Sequence, residues 1–411
     1  MVLPKRDGRG DAVVMQPVTP GLETSPEHRY GLVLSGGGAR GAFQVGVWEV
    51  LATHPRGLDG RPPEVISGTS AGAINGALIA AGRTPREMLD FWLSLGDRPP
   101  VSANPRFFAS LERTLGKLTV SEPARTLSQR AREVKLGASM LLKHAVTRGS
   151  GRLAFLAEFL LTARFDSLSR LLEGLEPDHL FSTDPFRARL ADALGGTTVP
   201  ASSPVSLAIN TIDVRTGEII RYVNRAPKKH ADSDDSHYLA GPITVDTIAA
   251  SAAIPLLFNP VRIGTRDLWD GGLLVNTPLA PTIALGATHI IPVLITAGRQ
   301  GAPVRPLSFG HAVERLVDAF LENAYNTDRK LLLERNRLAR LRPELGYTIA
   351  TLYEPIRPAS STVFNAGSYL YFERTALLDM YRAGRAAAHH WLASGPAIDR
   401  RPGHPPGLPT I

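Results

Sequence analysis

The segment Tyr30-Gly-Leu-Val-Leu-Ser-Gly-Gly-Gly-Ala-Arg-Gly41 joins a short apolar run to a cluster of glycines. Such a run is typical of a buried strand in a parallel sheet. Apolar periodicity predicts a helix over 42–51, a second strand over 64–67 and a second helix over 71–81. Strand, turn and helix repeat as βαβα units, so the sequence predicts an α/β fold with a mostly parallel sheet and helices on both faces.

The rest of the chain divides by composition. We predict a flexible leader at 1–29, a mostly helical basic insertion at 98–194, a mostly helical extension at 298–395 and a Pro-rich, frayed tail at 396–411. Further strands are predicted at 205–209, 219–222, 261–263, 289–294 and 347–353, and C-terminal helices after 308 and at 372–392.

Composition excludes several classes of protein. The 411 residues are 43% hydrophobic, which is enough for a sizeable core and excludes a disordered chain. The absence of cysteine excludes disulfides, thiolate metal sites and cysteine nucleophiles. No signal peptide or membrane-spanning run is recognisable, so we expect a cytoplasmic protein that is soluble or peripheral to a membrane.

The strongest single motif is Gly68-Thr69-Ser70-Ala71-Gly72, which matches G-x-S-x-G between a predicted strand and a predicted helix. In a nucleophile elbow the serine takes a strained conformation, and small neighbours allow the strand and the helix to approach closely. The motif therefore favours Ser70 as a nucleophile, although a structural turn is the alternative.

The glycine loop Gly36-Gly37-Gly38-Ala39-Arg40-Gly41 allows three interpretations. It matches the dinucleotide fingerprint, but that fingerprint needs an acidic residue about 20 positions on, at the end of a second strand. Asp59 lies in a loop and Glu64 begins its strand instead. The loop can also offer N–H groups to an oxyanion, or form a tight turn without a ligand. These residues alone leave all three open.

Asp270-Gly271-Gly272 follows a predicted hairpin over 261–269. Such triplets usually mark turns. A serine nucleophile nevertheless needs a base, and none of the eleven histidines stands in a recognisable catalytic setting. A carboxylate is the economical alternative.

Taken in order, the glycine loop, Gly68–Gly72 and Asp270–Gly272 resemble the motifs of the patatin-like phospholipase family. Ser251-Ala-Ala-Ile-Pro255 and Asn276-Thr-Pro-Leu279 support the resemblance, which covers 30–297. It implies a three-layer α/β catalytic domain with a helical cap insertion. It also implies a serine lipid acyl hydrolase, of phospholipase A or lysophospholipase type, that cleaves carboxylic esters of phospholipids. No metal and no cofactor are implied.

The resemblance also implies a role for each matching residue. Ser70 is the nucleophile and Asp270 its base in a dyad, and the N–H groups of Gly37 and Gly38 hold the oxyanion. The remaining motif residues are Gly36, Arg40 and Gly41 of the oxyanion loop, Gly68 and Gly72 of the elbow, and Gly271 and Gly272 after the aspartate.

Two other classes remain as alternatives. In a Ser-His-Asp α/β-hydrolase, His289 or His311 would serve as the base. In a nucleotide-binding regulatory protein, the glycine loop would bind phosphate.

The net charge of +8 is concentrated in one place. Residues 98–148 contain ten Lys or Arg and three Asp or Glu, a balance of +7, beside an apolar stripe from Leu127 to Ala145. A basic amphipathic helix is typical of contact with anionic membranes, and a solvated helix on the core is the alternative. This concentration excludes a generally cationic surface, so we expect no nucleic acid partner.

Overall fold

The structure, a computed structural model, describes residues 21–22, 25, 27–98, 100–111, 179–227, 237–297, 309–359, 364 and 366–399. The strands are β1 Tyr30–Leu34, β2 Val65–Gly68, β3 Ser102–Ala103, β4 Phe181–Ser182, β5 Ser206–Asp213, β6 Ile219–Val223, β7 His237–Ala240, β8 Val261–Ile263, β9 Arg266–Asp270, β10 His289–Val293 and β11 Thr351–Leu352. The helices are α1 Gly41–Thr53, α2 Ala71–Ala80, α3 Pro85–Asp97, α4 Asp184–Leu194, α5 Val245–Ser251, α6 Leu279–Ala284, α7 Phe309–Leu341 and α8 Arg374–Ala393. Single 3-10 turns occupy Gly38–Arg40, Gly271–Leu273, Pro343–Leu345 and Ala366–Tyr369.

A mainly parallel sheet forms the centre of the fold, in the order β11-β10-β1-β2-β5-β6-β7. The five strands from β11 to β5 run parallel to their neighbours, whereas β6 is antiparallel to β5. Strands β1, β2 and β5 are buried along their whole length, as expected of parallel strands covered on both faces. Their carboxyl ends therefore meet at one edge of the sheet.

Two apolar cores cover the two faces of this sheet. Successive side chains of a strand point to opposite faces, and here they join different cores. Leu32 and Ile66 pack with residues of α1 to α5 and α8, whereas Val33 and Val65 pack with residues of α6 and α7. The predicted α/β fold with helices on both faces is confirmed.

The C-terminal part of the chain is built into this fold. Strand β11 extends the sheet beside β10. Helix α8 packs on α1 through two glycines: a Cβ atom at Gly46 would lie 2.0 Å from the Tyr381 carbonyl oxygen, and one at Gly384 would lie 2.0 Å from that of Phe43. The segment predicted as an extension therefore supplies both a strand and a core helix.

Several boundaries differ from the prediction. Only Thr351–Leu352 of the predicted strand 347–353 joins the sheet. Just before it, the Asn336 side chain donates to the Ala350 carbonyl at 2.7 Å and accepts the Ala350 N–H at 3.0 Å, so Ala350 has no backbone group left for strand pairing. The predicted tail also begins too early, since Asp399 donates its N–H to Leu352 and pairs with Arg329. At the other end, Leu22 of the predicted leader is buried.

The basic insertion can be followed only at its two ends. Of 98–194, the described residues form β3, a helical stretch at 105–111, β4 and α4, and the amphipathic stripe Leu127 to Ala145 lies outside the described part of the chain. Among the helices that the structure describes, none is both long enough and apolar enough to cross a membrane.

Strands β2 and β9 meet end to end along one side of β5, and this junction creates the site. Strand β2 runs parallel to β5 and ends with Gly68 opposite Ile209. Strand β9 runs antiparallel to β5 and ends with Asp270 opposite Thr211. The residues that follow β2 therefore face the last residue of β9.

Candidate active site

Ser70 lies at the sharp turn between β2 and α2, with φ 54° and ψ −120°. A non-glycine residue in such a region costs about 1–3 kcal/mol and persists only where its surroundings enforce it. A Cβ atom at Gly68 would lie 2.3 Å from the Gly72 carbonyl oxygen, and one at Gly72 would lie 2.0 Å from that of Leu34. Both predicted elbow glycines thus stand where the backbone leaves no room for a side chain.

Buried hydrogen bonds enforce the strained turn. The Ser70 N–H donates to the Ser251 Oγ at 3.0 Å, and the Ser251 hydroxyl donates to the Asn210 carbonyl at 2.7 Å. The Asn210 side-chain amide in turn donates to the Gly68 carbonyl at 3.0 Å. The turn is therefore tied to β5 and to the end of α5, and Ser70 lies at the amino terminus of α2, where the helix dipole favours negative charge.

Asp270, at the end of β9, faces Ser70 across the junction. Its carboxylate interacts with the Ser70 hydroxyl, which favours the ionised form, and its Oδ1 accepts the Gly272 N–H at 2.7 Å. The exposed fractions are only 6% for Ser70 and 5% for Asp270. The structure thus brings the two predicted dyad residues into direct contact, out of bulk water.

Burial raises the pKa of Asp270 from its ordinary 3.8 to about 7, and the hydrogen bonds from Gly272 and Ser70 offset this effect only in part. A general base works best when its pKa lies near the working pH. The Asp270 carboxylate therefore has the basicity needed to accept a proton from Ser70 near neutral pH.

The glycine loop lies directly beside Ser70. A Cβ atom at Gly36 would be 3.1 Å from the Cβ of Ser70. The Gly36 N–H donates to the Asn276 carbonyl at 3.1 Å, and the Gly41 N–H is engaged within the turn by the carbonyls of Gly38 and Ala39. Within the described residues, the N–H groups of Gly37 and Gly38 form no hydrogen bond. Of the loop's glycines, these two are available to an oxyanion.

Buried side chains hold both ends of the glycine loop. Gln44 donates to the Ser35 carbonyl at 2.7 Å, and Asn75 donates to the Gly41 carbonyl at 2.9 Å. Trp92 completes the network by donating its Nε1–H to the Asn75 Oδ1 at 2.8 Å. Side chains of α1, α2 and α3 therefore hold the two ends of the loop in place.

The buried Arg40 side chain serves as an anchor of the loop. Its Nε donates to the Ser368 Oγ at 2.8 Å, and its Nη1 donates to the Ile295 carbonyl at 3.1 Å. Arg40 thus connects the glycine loop to the residues after β10 and to the 3-10 turn Ala366–Tyr369.

Of the two glycines after Asp270, Gly271 is sterically required and Gly272 is closely surrounded. A Cβ atom at Gly271 would lie 2.4 Å from the Asn210 carbonyl oxygen. The Asn276 side chain lies between the two glycine motifs: its Oδ1 would be 2.5 Å from a Cβ at Gly36 and 3.2 Å from one at Gly272. Asn276 therefore lies between the glycine loop and the turn that follows Asp270.

The histidine alternative fails at His289. This residue begins β10 opposite Tyr30, at the start of β1, whereas Thr69, next to Ser70, donates its N–H to Leu34 at the end of β1. Four residues of strand separate these ends by about 13 Å. His311 lies on α7, and its side chain is outside the description.

The nucleotide alternative also lacks its acidic residue. Glu64 precedes β2, and its carboxylate accepts the Tyr30 N–H at 2.7 Å, at the edge of the sheet opposite the glycine loop. No group of three or more His, Asp or Glu side chains in the described ranges could hold a metal ion.

Most of the residues that hold Ser70 and the glycine loop in place carry no signal in the sequence. Asn210, Gln44 and Asn75 stand in apolar runs without a motif, so nothing in the sequence indicates their contacts. Ser251 is different, because it belongs to the segment 251–255 that supports the family resemblance. Its position was recognised, but not its bond to the Ser70 N–H.

Comparison with known proteins gives the family. Residues 32–283 match the model of the patatin-like phospholipases, and this stretch contains both Ser70 and Asp270. The chain belongs to the patatin-like phospholipase family. The match ends before β10, α7 and α8, so this patatin-like chain completes its sheet and both of its helical layers with residues beyond the matched part.

Individual relatives add limited detail to the family assignment. A stretch of 50 residues is 56% identical to lysophospholipase nte1 of Aspergillus terreus, but it covers 12% of the patatin-like chain and only 3% of that relative. VipD from Legionella pneumophila aligns with a TM-score of 0.38 and 16% identity, over 92% of this chain and 68% of VipD. The ExoU-SpcU complex of the Pseudomonas aeruginosa type III secretion system aligns with a TM-score of 0.27 and 19% identity, over 78% of this chain and 59% of the matched chain.

Proposed function

We propose that the protein is a serine lipid acyl hydrolase in which Ser70 is the nucleophile and Asp270 is the general base. The observation that carries this proposal is the contact between a strained, buried serine at a helix amino terminus and a buried carboxylate whose pKa is about 7. Membership of the patatin-like phospholipase family supports it. Because the dyad needs no histidine, the position of His289 at the far edge of the sheet is no obstacle.

In the first half of the reaction, Ser70 Oγ attacks the carbonyl carbon of the ester while Asp270 takes the hydroxyl proton. The ester carbonyl oxygen becomes negatively charged, and the N–H groups of Gly37 and Gly38 stabilise it. Losing one such donor typically costs about 3–4 kcal/mol of barrier. Collapse of this intermediate leaves an acyl-enzyme on Ser70 and releases the alcohol, which takes the proton from Asp270.

In the second half, Asp270 accepts a proton from water as the water attacks the acyl-enzyme. The fatty acid leaves, and the proton returns to Ser70 Oγ. The same carboxylate thus acts as base and then as acid in each half, the role that histidine has in a catalytic triad. A pKa near 7 suits both tasks.

The substrate is a carboxylic ester of a phospholipid or a lysophospholipid. The family description and the lysophospholipase among the relatives support this class. A lipid substrate also favours contact with a membrane, and the +7 balance of residues 98–148 is suited to anionic lipid. Co-sedimentation with vesicles tests that contact.

Hydrolysis by two single variants tests the proposed dyad. Ser70→Ala and Asp270→Asn should each lower hydrolysis of a phospholipid ester at least about 1,000-fold, because each removes one partner of the proton transfer. Both changes keep the shape of the buried site, so the thermal midpoint and circular dichroism should show a folded protein. Asp267→Asn is a matched control, since Asp267 lies on the same strand but is only half-buried and pairs with Arg262 instead of Ser70. Substantial activity in either dyad variant would refute the assignment.

A further inference from the structure

The buried Arg40 guanidinium is enclosed largely by residues that lie beyond the match to the patatin-like family. Arg40 is 1% exposed, and its Nε donates to the Ser368 Oγ at 2.8 Å. Its Nη1 donates to the Ile295 carbonyl at 3.1 Å and lies 3.6 Å from the Asp318 Oδ1. Each of these partners follows residue 283, where the family match ends.

Tyr369 closes a triangle with Arg40 and Asp318. The Arg40 Cζ lies over the Tyr369 ring, 3.7 Å from its centroid. The Tyr369 hydroxyl donates at 2.7 Å to the Asp318 Oδ1, the atom that pairs with Arg40. An arginine that stacks on a ring and pairs with a carboxylate is held in one orientation, because each contact restricts a different rotation of the planar group. We name Tyr369, Asp318 and Ser368 the C-terminal clamp.

The backbone of Tyr369 touches the oxyanion loop directly. A Cβ atom at Gly38 would lie 2.1 Å from the Tyr369 carbonyl oxygen, and Gly38 has φ 54°, in the left-handed region that favours glycine. Gly38 is one of the two residues whose N–H forms no hydrogen bond within the described residues. Tyr369 thus contacts the loop twice, at Gly38 through its backbone and at Arg40 through its ring.

Consecutive glycines have an unusually large conformational freedom, and an oxyanion hole acts only when its donors are already in place. Gln44 and Asn75 fix the ends of the loop, at Ser35 and Gly41. Neither side chain contacts Gly37 or Gly38, which carry the proposed donors. The C-terminal clamp contacts this stretch.

We propose that Tyr369 and Asp318 are positioning residues, which hold the Gly37 and Gly38 N–H groups in the orientation that binds the oxyanion. The proposal rests on the proposed serine hydrolase function. In this chain the oxyanion hole is then completed by the C-terminal region rather than by the glycine loop alone.

The test compares the full-length wild type with Tyr369→Ala, Tyr369→Phe and Asp318→Asn in hydrolysis of a lysophospholipid. Tyr369→Ala should lower kcat about 10- to 100-fold with KM changed less than about twofold, because the donors act mainly in the transition state. Tyr369→Phe keeps the ring over Arg40 and should recover kcat to within about threefold of wild type. Asp318→Asn should lower kcat about three- to tenfold, because the stack lacks its counter-charge.

Tyr371→Ala is the matched control for Tyr369→Ala. Tyr371 lies two residues further on, is 37% exposed, and hydrogen-bonds to Glu373 rather than to the loop. Its removal should leave kcat within about twofold of wild type. Inactivation by a fluorophosphonate gives a second readout, since Ser70 Oγ displaces fluoride from phosphorus while the phosphoryl oxygen takes the place of the oxyanion. The rate constant should fall in Tyr369→Ala by about the same factor as kcat.

Three outcomes would overturn the proposal. A lowered thermal midpoint with wild-type kcat would make the clamp a structural contact only, and a raised KM with unchanged kcat would place Tyr369 in substrate binding. If Tyr369→Ala does not fold, wild-type kcat and fluorophosphonate rates in Asp318→Asn would overturn it. Failure of the underlying function looks different: the wild type itself would then neither react with the fluorophosphonate at Ser70 nor hydrolyse the lipid.

Discussion

The buried carboxylate of Asp270 makes the protein less stable as the pH rises. Burial places the pKa of Asp270 at about 7 in the folded chain, against an ordinary value of 3.8. The folded state therefore binds the proton more tightly than the unfolded state. The resulting stabilisation is fully present below about pH 4 and is lost as the pH rises through about 7. Asp270→Asn, which is neutral at every pH, should remove this dependence.

The size of the effect follows from the two pKa values. A pKa raised from 3.8 to about 7 corresponds to about 4 kcal/mol in the free energy of unfolding, of which about 3 kcal/mol is lost between pH 5 and pH 8.5. Asp270 is 5% exposed, so solvent screening reduces this value little. For a chain of 411 residues, 3 kcal/mol shifts the thermal midpoint by about 3–4 °C.

Thermal unfolding of the wild type and of Asp270→Asn at pH 5 and pH 8.5 measures this effect. The midpoint of Asp270→Asn minus that of the wild type should be about 3–4 °C larger at pH 8.5 than at pH 5. Urea unfolding at the same two pH values gives the free energy directly.

Asp213→Asn is a control that should show no dependence on pH in this window. Asp213 is also buried on the sheet, and burial would raise its pKa. Hydrogen bonds from Arg266 and from the Arg215 and Thr216 N–H groups outweigh that effect and hold the pKa below its ordinary value. The carboxylate is therefore ionised at both pH values, and its loss should destabilise the protein equally at each. A midpoint difference between Asp270→Asn and the wild type that is the same at both pH values, or larger at pH 5, would refute the raised pKa of Asp270.

Two further predictions concern packing and membrane contact. Gly384→Ala should destabilise the protein by about 1–3 kcal/mol, because its Cβ would lie 2.0 Å from the Phe43 carbonyl oxygen. Gly241→Ala is the control and should be near neutral, because its Cβ enters open space. Equal urea midpoints for the two variants would contradict the close packing of α8 on α1. At low salt, vesicles with anionic lipid should co-sediment more protein than neutral vesicles, and about 0.5 M salt should remove the difference; equal recovery with both vesicles would exclude electrostatic contact through 98–148.

Local patterns were sufficient to predict the central fold, and they also singled out the three segments, 36–41, 68–72 and 270–272, that the structure brings together at the candidate site. Each of β1, α1, β2 and α2 is a short segment whose apolar period and flanking glycines specify it, and all lie within a few residues of their predicted bounds. Helix α3 was equally readable, since Thr84-Pro-Arg-Glu87 forms a capping box before an amphipathic stretch, but it was not predicted.

The contacts that complete the site could not be predicted, because they join distant parts of the chain. The meeting of β2 and β9 along β5 depends on the register of three strands. The bond from Ser70 to Ser251 spans 181 positions, and that from Arg40 to Ser368 spans 328. No periodicity or motif in one sequence records such pairs. A strand was predicted at 347–353, but its place beside β10 was not, because a single sequence does not record which strands pair.

Labelling with a fluorophosphonate, followed by mapping of the modified peptide, tests the central claim most directly. The reagent reports an activated serine whichever lipid is the natural substrate. We expect stoichiometric modification of Ser70 in the wild type, none in Ser70→Ala and strongly slowed modification in Asp270→Asn. Modification of a different residue, or lipid hydrolysis that persists after Ser70 is blocked, would contradict it.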